Sequence, residues 1–382
     1  MKSRNKLRSF GAIALLGGFI SSGVAFTQVA GAQSLGESSE HALFIETDSA
    51  SGNSILSYLR GSDGTISFAG TYATGGNGGA GANSSAAPLG SQDGLTLVNN
   101  DQELIATNAG SNTISLFDVS GTHLKLAQQV SSGGQFPNSI SSHGNLVAVL
   151  NAGGTGSVQE YSLERGKLVT LESENRSLGL DNTTPPDYVH GAGQVGYTPN
   201  GQHLVVTTKD STNSYDVFSV STSGVLGVAP VVSPSDNPVP YDFNFDAAGN
   251  LFAIEAGTSS ASVYSINANG TLTSLGTVSD NAKALCWVSS ANGYFYGSNA
   301  GSGNITSFDE TSAGAPQVVA SVAATTHAGT TDSVVSPDGK FLYVESGGAG
   351  TIDVFSIGPD AALAAVTTVF NIPPASEGIA IS

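Results

Sequence analysis

The chain holds a single cysteine, Cys286, in 382 residues, which excludes an intramolecular disulfide. Lysine and arginine together number only 12 against 30 acids, a formal charge of −18. A surface this acidic suits neither nucleic acid nor anionic membranes, and neither is expected as a partner. Charged residues make up 11 % of the chain and amphipathic helical periodicity is hard to find, whereas glycine is abundant at 49. That balance points to all-β structure with many tight turns. No nucleophile elbow, zinc-ligand spacing or phosphate loop is present, and "GGNGGAG" (75–81) opens no helix, so it is no nucleotide signature. No cofactor is expected.

The long apolar run at the start has a different meaning. "MKSRNKLRS" is a basic leader, "FGAIALLGGFISSGVAF" an apolar stretch, and "VAGA" ends in the small-x-small pattern of a signal-peptidase site. Residues 1–32 are therefore expected to be a signal peptide and 33–40 a short N-terminal segment. The apolar stretch is short and carries Gly and Ser, which speaks against a membrane anchor. Cleavage would remove four cations and no acid, leaving 8 against 30, a charge of −22. A secreted, periplasmic or envelope protein is expected, monomeric, with a small-molecule or surface partner.

What is present is a repeat. "VVSPDGKFLYVESGGAGTIDVFSI" (334–357) returns in weaker form as "VGYTPNGQHLVVTTKDSTNSYDVFSV" (195–220) and "FNFDAAGNLFAIEAGTSSASVYSI" (243–266). Aligned on the strand after the turn, the copies place Glu46, Asn108, Asn151, Lys209, Glu255, Asn299 and Glu345 at one position. Four of the six intervals fall near 45 residues, the length of a four-stranded propeller blade. Seven copies account for residues 41–382, so a seven-bladed β-propeller is expected. The chain begins at a second-strand motif, "ALFIETD", and stops at a first-strand motif, "EGIAIS". The last strand should therefore complete the first blade as its innermost member, which removes the open sheet edges.

Connectivity sorts the loops. The first-to-second-strand turns are short; the long inserts, 72–93 and 171–191, fall on the opposite face, around the channel mouth, where added loop length usually means binding. The Gly-rich first insert reads equally well as a disordered spacer. Of six histidines, His190 and His327 fall in loops at the mouth. The starts of the inner strands supply a second ring of polar residues, Asp93, Asn138, Gln194, Asp242, Asp332 and Glu377, with Lys283 near the seventh place. Together with Glu255, Glu345 and His327 these are candidate binding residues, and crowded acids there should have raised pKa values. The acidic ring would offer oxygen ligands suited to calcium, but no Asp-rich calcium loop accompanies it, and no metal is expected.

The repeat phrase resembles the lactonase-type seven-bladed propellers, the family of 6-phosphogluconolactonase and carboxymuconate cyclase, and the related YVTN-type surface repeats. The resemblance implies ring opening of a lactone at the channel mouth, with a base to activate water and a cation where carbonyl charge develops. In that family a histidine often precedes the fourth-blade hairpin. The matching stretch here, "PPDYVHGAGQVGYTPNGQHLVVTTKD", carries His190 a few residues from that place, with Gly191 and Gly193 nearer it. On this basis His190 or Asp187 would act as base and Lys209 or Lys283 would stabilise the oxyanion. Beyond the leader only Arg60, Arg165 and Arg176 remain, and the first two read as turn residues away from the mouth. A phosphorylated lactone normally needs bidentate arginine, so a neutral or weakly charged lactone fits better. A non-catalytic binding propeller using the same mouth is the alternative.

Overall fold

The computed structural model describes residues 41–84 and 86–382; the expected signal peptide and the 33–40 segment lie outside the described residues. Seven four-stranded antiparallel sheets form a ring, and each sheet's strands run in sequence order except at the closure and nowhere else. Strand Ile379–Ile381 pairs with Ala42–Glu46, matching Leu43 with Ile381, Phe44 with Ala380 and Ile45 with Ile379. The Glu46 amide donates to the Gly378 carbonyl and the Ser382 amide to Ala42, each at 2.9 Å. The chain's last strand thus completes blade 1.

The cores lie between blades rather than within them. Leu43, Ile45 and Tyr58 of blade 1 pack on Tyr343, Ile352 and Val354 of blade 7, and each other junction has its own cluster, such as Phe252 and Ile254 against Val288 and Phe308. Second strands such as Phe341–Ser346 and Leu251–Glu255 are buried along their whole length, because both faces meet a neighbouring sheet. Outer strands such as Leu272–Ser279 alternate toward solvent. The Asp-Gly hairpin turn is fastened by its own side chains: the Ser336 hydroxyl donates to Asp338 at 2.7 Å and accepts from the Phe341 amide at 3.0 Å. Gly339 there has φ +68, the left-handed region that favours glycine.

Both long inserts connect an outer strand to the next blade's inner strand. The second begins later than the sequence suggests: residues 171–177 continue the outer strand Leu168–Ser177 of blade 3. Arg176 therefore stays away from the mouth, paired with Glu174 at 2.7 Å and donating to the Leu226 and Gly227 carbonyls at 2.8 Å. The first insert is not a spacer. It folds back over the mouth, with the Gly78 amide on Ser49, the Gly110 amide on Asn77 and Ala82 bridged to Asp187.

Candidate functional site

The ring at the ends of the second strands is buried. Glu46, Asn108, Asn151, Glu255, Asn299 and Glu345 have no exposed surface and Lys209 has almost none. Most of these side chains fasten their own blade. Glu255 accepts from Ser262 at 2.6 Å, Ser235 and Asn237 at 2.7 Å, and Tyr264 at 2.8 Å. Asn108 donates to Ser115 and Asn299 to Thr306, each at 2.9 Å, while Asn151 donates to the Ser132 carbonyl at 2.9 Å. This is how a strand end satisfies its polar groups out of water.

The inner ring is linked from blade to blade. Gln194 donates to Asp93 at 2.9 Å and accepts from the Phe243 amide at 2.7 Å; Asp242 accepts from the Val288 amide at 2.9 Å. Asn138 donates to the Ala192 carbonyl at 2.9 Å. The seventh place belongs to Trp287, which pairs with Ser298 just as Asp242 pairs with Ile254. Lys283 instead lies exposed on the rim. Burial, then neighbouring acids, holds the Asp242, Asp332 and Glu345 carboxyls well above their ordinary range, and burial pushes Asp93 up to about 6.

Residues 86–93 of the first insert plug the opening above this ring. Leu89 is buried, and its amide and those of Gly90 and Ser91 all donate to the Glu377 carboxylate at 2.6, 3.0 and 3.0 Å. The Trp287 indole donates to the Ser91 carbonyl at 2.8 Å, and Gln92 exchanges bonds with the Val288 backbone. Lys209 comes up from below: its ammonium donates to the Gly90 carbonyl at 2.8 Å and to that of Tyr188, 4.9 Å from the Tyr241 ring centre. Burial lowers Lys209 to about 8, opposed by Glu377, whose own carboxyl is raised by burial to about 7. Lys209 and Asp93 both hold left-handed backbone, with φ +46 and +62, a conformation costing about 1–3 kcal/mol that surrounding contacts must maintain.

Beside the plug remains a cavity of about 270 Å³, walled by Ala87, Tyr188, Tyr241, Cys286 and Trp287 and by small residues such as Ala300 and Gly301. Tyr241 and Trp287 meet edge to face, their centres 5.3 Å apart. Cys286 is buried, and its thiol is pushed up to about 12 by burial, so it is no ready nucleophile. Broader clefts of about 600 and 640 Å³ lie on the opposite face, lined by turns of blades 2 to 4, and hold none of the residues discussed above as candidates.

His190 sits on the rim, its Nδ1 3.3 Å from Asp187 and its Nε2 3.2 Å from Asp210. Asp187 also accepts from Asn83 at 2.6 Å, which holds its carboxyl below the usual range. His327 is in a mouth-side loop, but its side chain turns to the outer strands, with Nδ1 2.8 Å from Asp353 and the ring against Phe370. The structure thus joins Asp187 to His190 and brings Lys209 and Glu377 to opposite ends of the same plug peptide at Gly90, and it sets Lys283, His327 and Glu255 apart from both. Trp287 and Tyr241 were not among the sequence candidates, and of the plug only Asp93 was. The one signal was "LCW" at 285–287, the chain's lone cysteine and tryptophan, where other copies carry an acid or amide.

No protein-family model and no curated protein matches the chain. Among solved structures it is similar to a periplasmic gluconolactonase of Pseudomonas aeruginosa, at 18 % identity and TM-score 0.66 over 89 % of this chain and 98 % of that one. A Bacteroides fragilis protein provisionally named a 6-phosphogluconolactonase is 16 % identical with TM-score 0.68, over 90 % and 98 % of the two chains. A Lactobacillus plantarum protein is 16 % identical with TM-score 0.70, over 90 % and 99 %. At these identities the likeness is one of fold: this chain is a seven-bladed propeller built like the lactonase-type structures.

Proposed function

We propose that the protein is an exported, lactonase-like propeller that binds a small, uncharged, carbonyl-bearing ring, such as a neutral lactone, in the cavity beside the plug. The observation that carries this reading is the wall of Tyr188, Tyr241, Cys286 and Trp287 around about 270 Å³. Aromatic walls with few polar groups suit a small ring of low charge. Anionic lactones fit poorly: Lys209 is committed to two backbone carbonyls and Arg176 to Glu174. Trp287 is the only tryptophan, so its fluorescence reports the cavity alone. Titration with neutral lactones should quench or shift it, and Ala300→Leu, which fills the cavity, should abolish the response. Phosphorylated lactones should bind at least tenfold more weakly. Absence of binding by any neutral lactone, or binding unchanged in Ala300→Leu, refutes the reading.

Hydrolysis is the second reading, favoured by the His190–Asp187–Asp210 group two residues from Tyr188 in the cavity wall. His190 or Asp187 would activate water, and Lys283, next to the cavity residue Ala284, would meet the developing oxyanion. Lys209 is the weaker candidate because both carbonyls it serves belong to the chain. A pH-stat assay on the lactones that bind decides: turnover lost in His190→Ala with binding retained supports it, and turnover surviving in both His190→Ala and Lys283→Ala removes these residues from the chemistry.

A further inference from the structure

The face opposite the mouth carries a long polar groove. Its clefts of about 600 and 640 Å³ share Gly144 and Asn145, and a third of about 370 Å³ meets the second at Asn200 and Gln202. Together they pass beneath blades 2 to 5, along the turns between first and second strands. His143 and His203 aside, Glu164 and Arg165 alone carry charge among the described residues that line them. Amides prevail instead, and they are unspent: Asn99, Asn100, Asn145 and Gln202 make no side-chain hydrogen bond among the described residues, nor does Arg165. Glu103, buried beside Gly166, forms no ion pair with Arg165. In blades 5 to 7 the corresponding turns spend their polar side chains on the protein itself: Asn250 donates to Asp246 at 2.7 Å, Asn292 to the Gly339 carbonyl at 3.0 Å, and Ser336 to Asp338 at 2.7 Å.

The backbone singles out the same residues. In blades 3 to 7 this turn puts a glycine in the left-handed region, at Gly144, Gly201, Gly249, Gly293 and Gly339. Blade 2 instead holds Asn99, Asn100 and Asp101 there in succession, with φ +53, +52 and +62, and Arg165 has φ +53 in the outer turn of blade 3. Asparagine tolerates that region better than most residues and arginine does not, so side chains stand in the groove where glycine would cost less. We propose that this groove binds a neutral polysaccharide, its hydroxyls spanned by the free amides and by Arg165. A carboxamide both donates and accepts, as a sugar hydroxyl does, so the two match without net charge. Leu97, Leu146 and Leu171, partly buried in the lining, offer apolar contact to the C–H faces of the rings. The three clefts together exceed the roughly 300–1,000 Å³ of a small-molecule site, and a polymer can follow them from blade to blade. The acidity of the chain, −18 in all, opposes polyanions.

The test is native gel retardation of the full chain by four soluble neutral polysaccharides, starch, laminarin, hydroxyethyl cellulose and galactomannan, with polygalacturonate as the anionic comparison. Retardation by at least one neutral polymer is expected. In titration calorimetry its hexasaccharide should bind about tenfold or more tightly than its disaccharide, since each further sugar adds hydrogen bonds. Asn99→Gly with Asn100→Gly, and separately Arg165→Gly, should weaken binding about fivefold or more. Both should leave the unfolding midpoint nearly unchanged, because glycine takes up the left-handed backbone without strain. Retardation by none of the neutral polymers overturns the inference, as does retardation by polygalacturonate alone or binding unchanged in both glycine variants. Trp287 emission should not respond to the sugar; a response there would place it at the mouth and also overturn the inference. Neutral lactones are read at Trp287 alone, so the two proposals stand or fall independently.

Discussion

Glu377 should decide whether the channel stays shut. In Glu377→Ala three buried amides, those of Leu89, Gly90 and Ser91, lose their acceptor. A hydrogen bond to a charged group contributes about 1.5–3 kcal/mol, so leaving all three empty costs more than about 4.5 kcal/mol. The plug can escape that cost by swinging out. Doing so exposes Leu89, worth about 2 kcal/mol, breaks the Ser91–Trp287 bond and both Gln92–Val288 bonds, about 1 kcal/mol each, and takes the Gly90 carbonyl from the Lys209 ammonium, about 1.5–3 kcal/mol. The two courses cost about the same, about 7 kcal/mol for opening against about 4.5–9 kcal/mol for three empty amides, so Glu377→Ala is predicted to lose at least about 4.5 kcal/mol and to populate an open state that exposes its tryptophan. Glu377→Gln keeps an acceptor for two of the three amides, forfeits about 2 kcal/mol and stays closed. With a single tryptophan the assay is direct: emission maximum and acrylamide quenching, together with urea unfolding. A red-shifted, quenchable emission in the alanine variant and not in the glutamine variant is expected. If the alanine variant keeps the wild-type emission and is no less stable than the glutamine variant, the three amides do not latch the plug.

Two further outcomes follow from the fold. Removing residues 378–382 strips Ile379 and Ile381 from their cluster at the closing seam, about 2 kcal/mol each, and leaves Ala42–Glu46 as an open edge. Size exclusion should show oligomers or aggregates, and a monomer with an unchanged unfolding midpoint would refute the closure. Stability should also rise on mild acidification. Burial raises the folded-state pKa of Asp93 to about 6 and of Glu160 and Glu377 to about 7, above the unfolded values near 4. Between those limits the folded chain holds more protons, so stability is gained as pH falls from about 8 to about 5 and lost as pH rises through the folded values. One such carboxyl contributes about 3 kcal/mol. A urea midpoint that falls steadily over that range would contradict it.

The blade plan was legible because each copy repeats a fixed physical instruction. "SPDGK" is a hairpin whose serine, aspartate and glycine each have a defined bond or backbone angle, and "FLYVE" is apolar on both faces because both are buried. The start and stop motifs disclosed the closure for the same reason. The mouth was less legible. Position along a strand put Asp242 and Asp332 at the starts of inner strands and Lys209 in the ring at the second-strand ends, yet it could not show that the Lys209 ammonium is drawn to two carbonyls from distant loops. The plug was opaque because its sequence, "AAPLGSQD", has no periodicity; its shape comes from partners far away in the chain, Glu377, Trp287 and Val288. Counting back from hairpins chose Lys283 for the seventh place because it is polar. A tryptophan fits there instead, since its indole can donate to the plug while its ring walls a cavity.

The channel interior divides into two halves with opposite solutions to the same difficulty. On the plug side, Glu377 is tolerated because three amides and the field of Lys209 offset its desolvation, and Asp242 finds the Val288 and Phe243 amides. On the seam side, Glu46, Asp48 and Glu345 face one another with four oxygens unmatched. A backbone contact joins the halves: the Glu377 amide donates to Asp48 while the Glu377 carboxylate holds the plug. Asp48 therefore bears on the latch: Asp48→Ala, which removes the acceptor of the Glu377 amide, should raise acrylamide quenching of Trp287 at pH 7. Quenching unchanged from the wild-type chain would mean that the two halves are energetically separate despite sharing a residue.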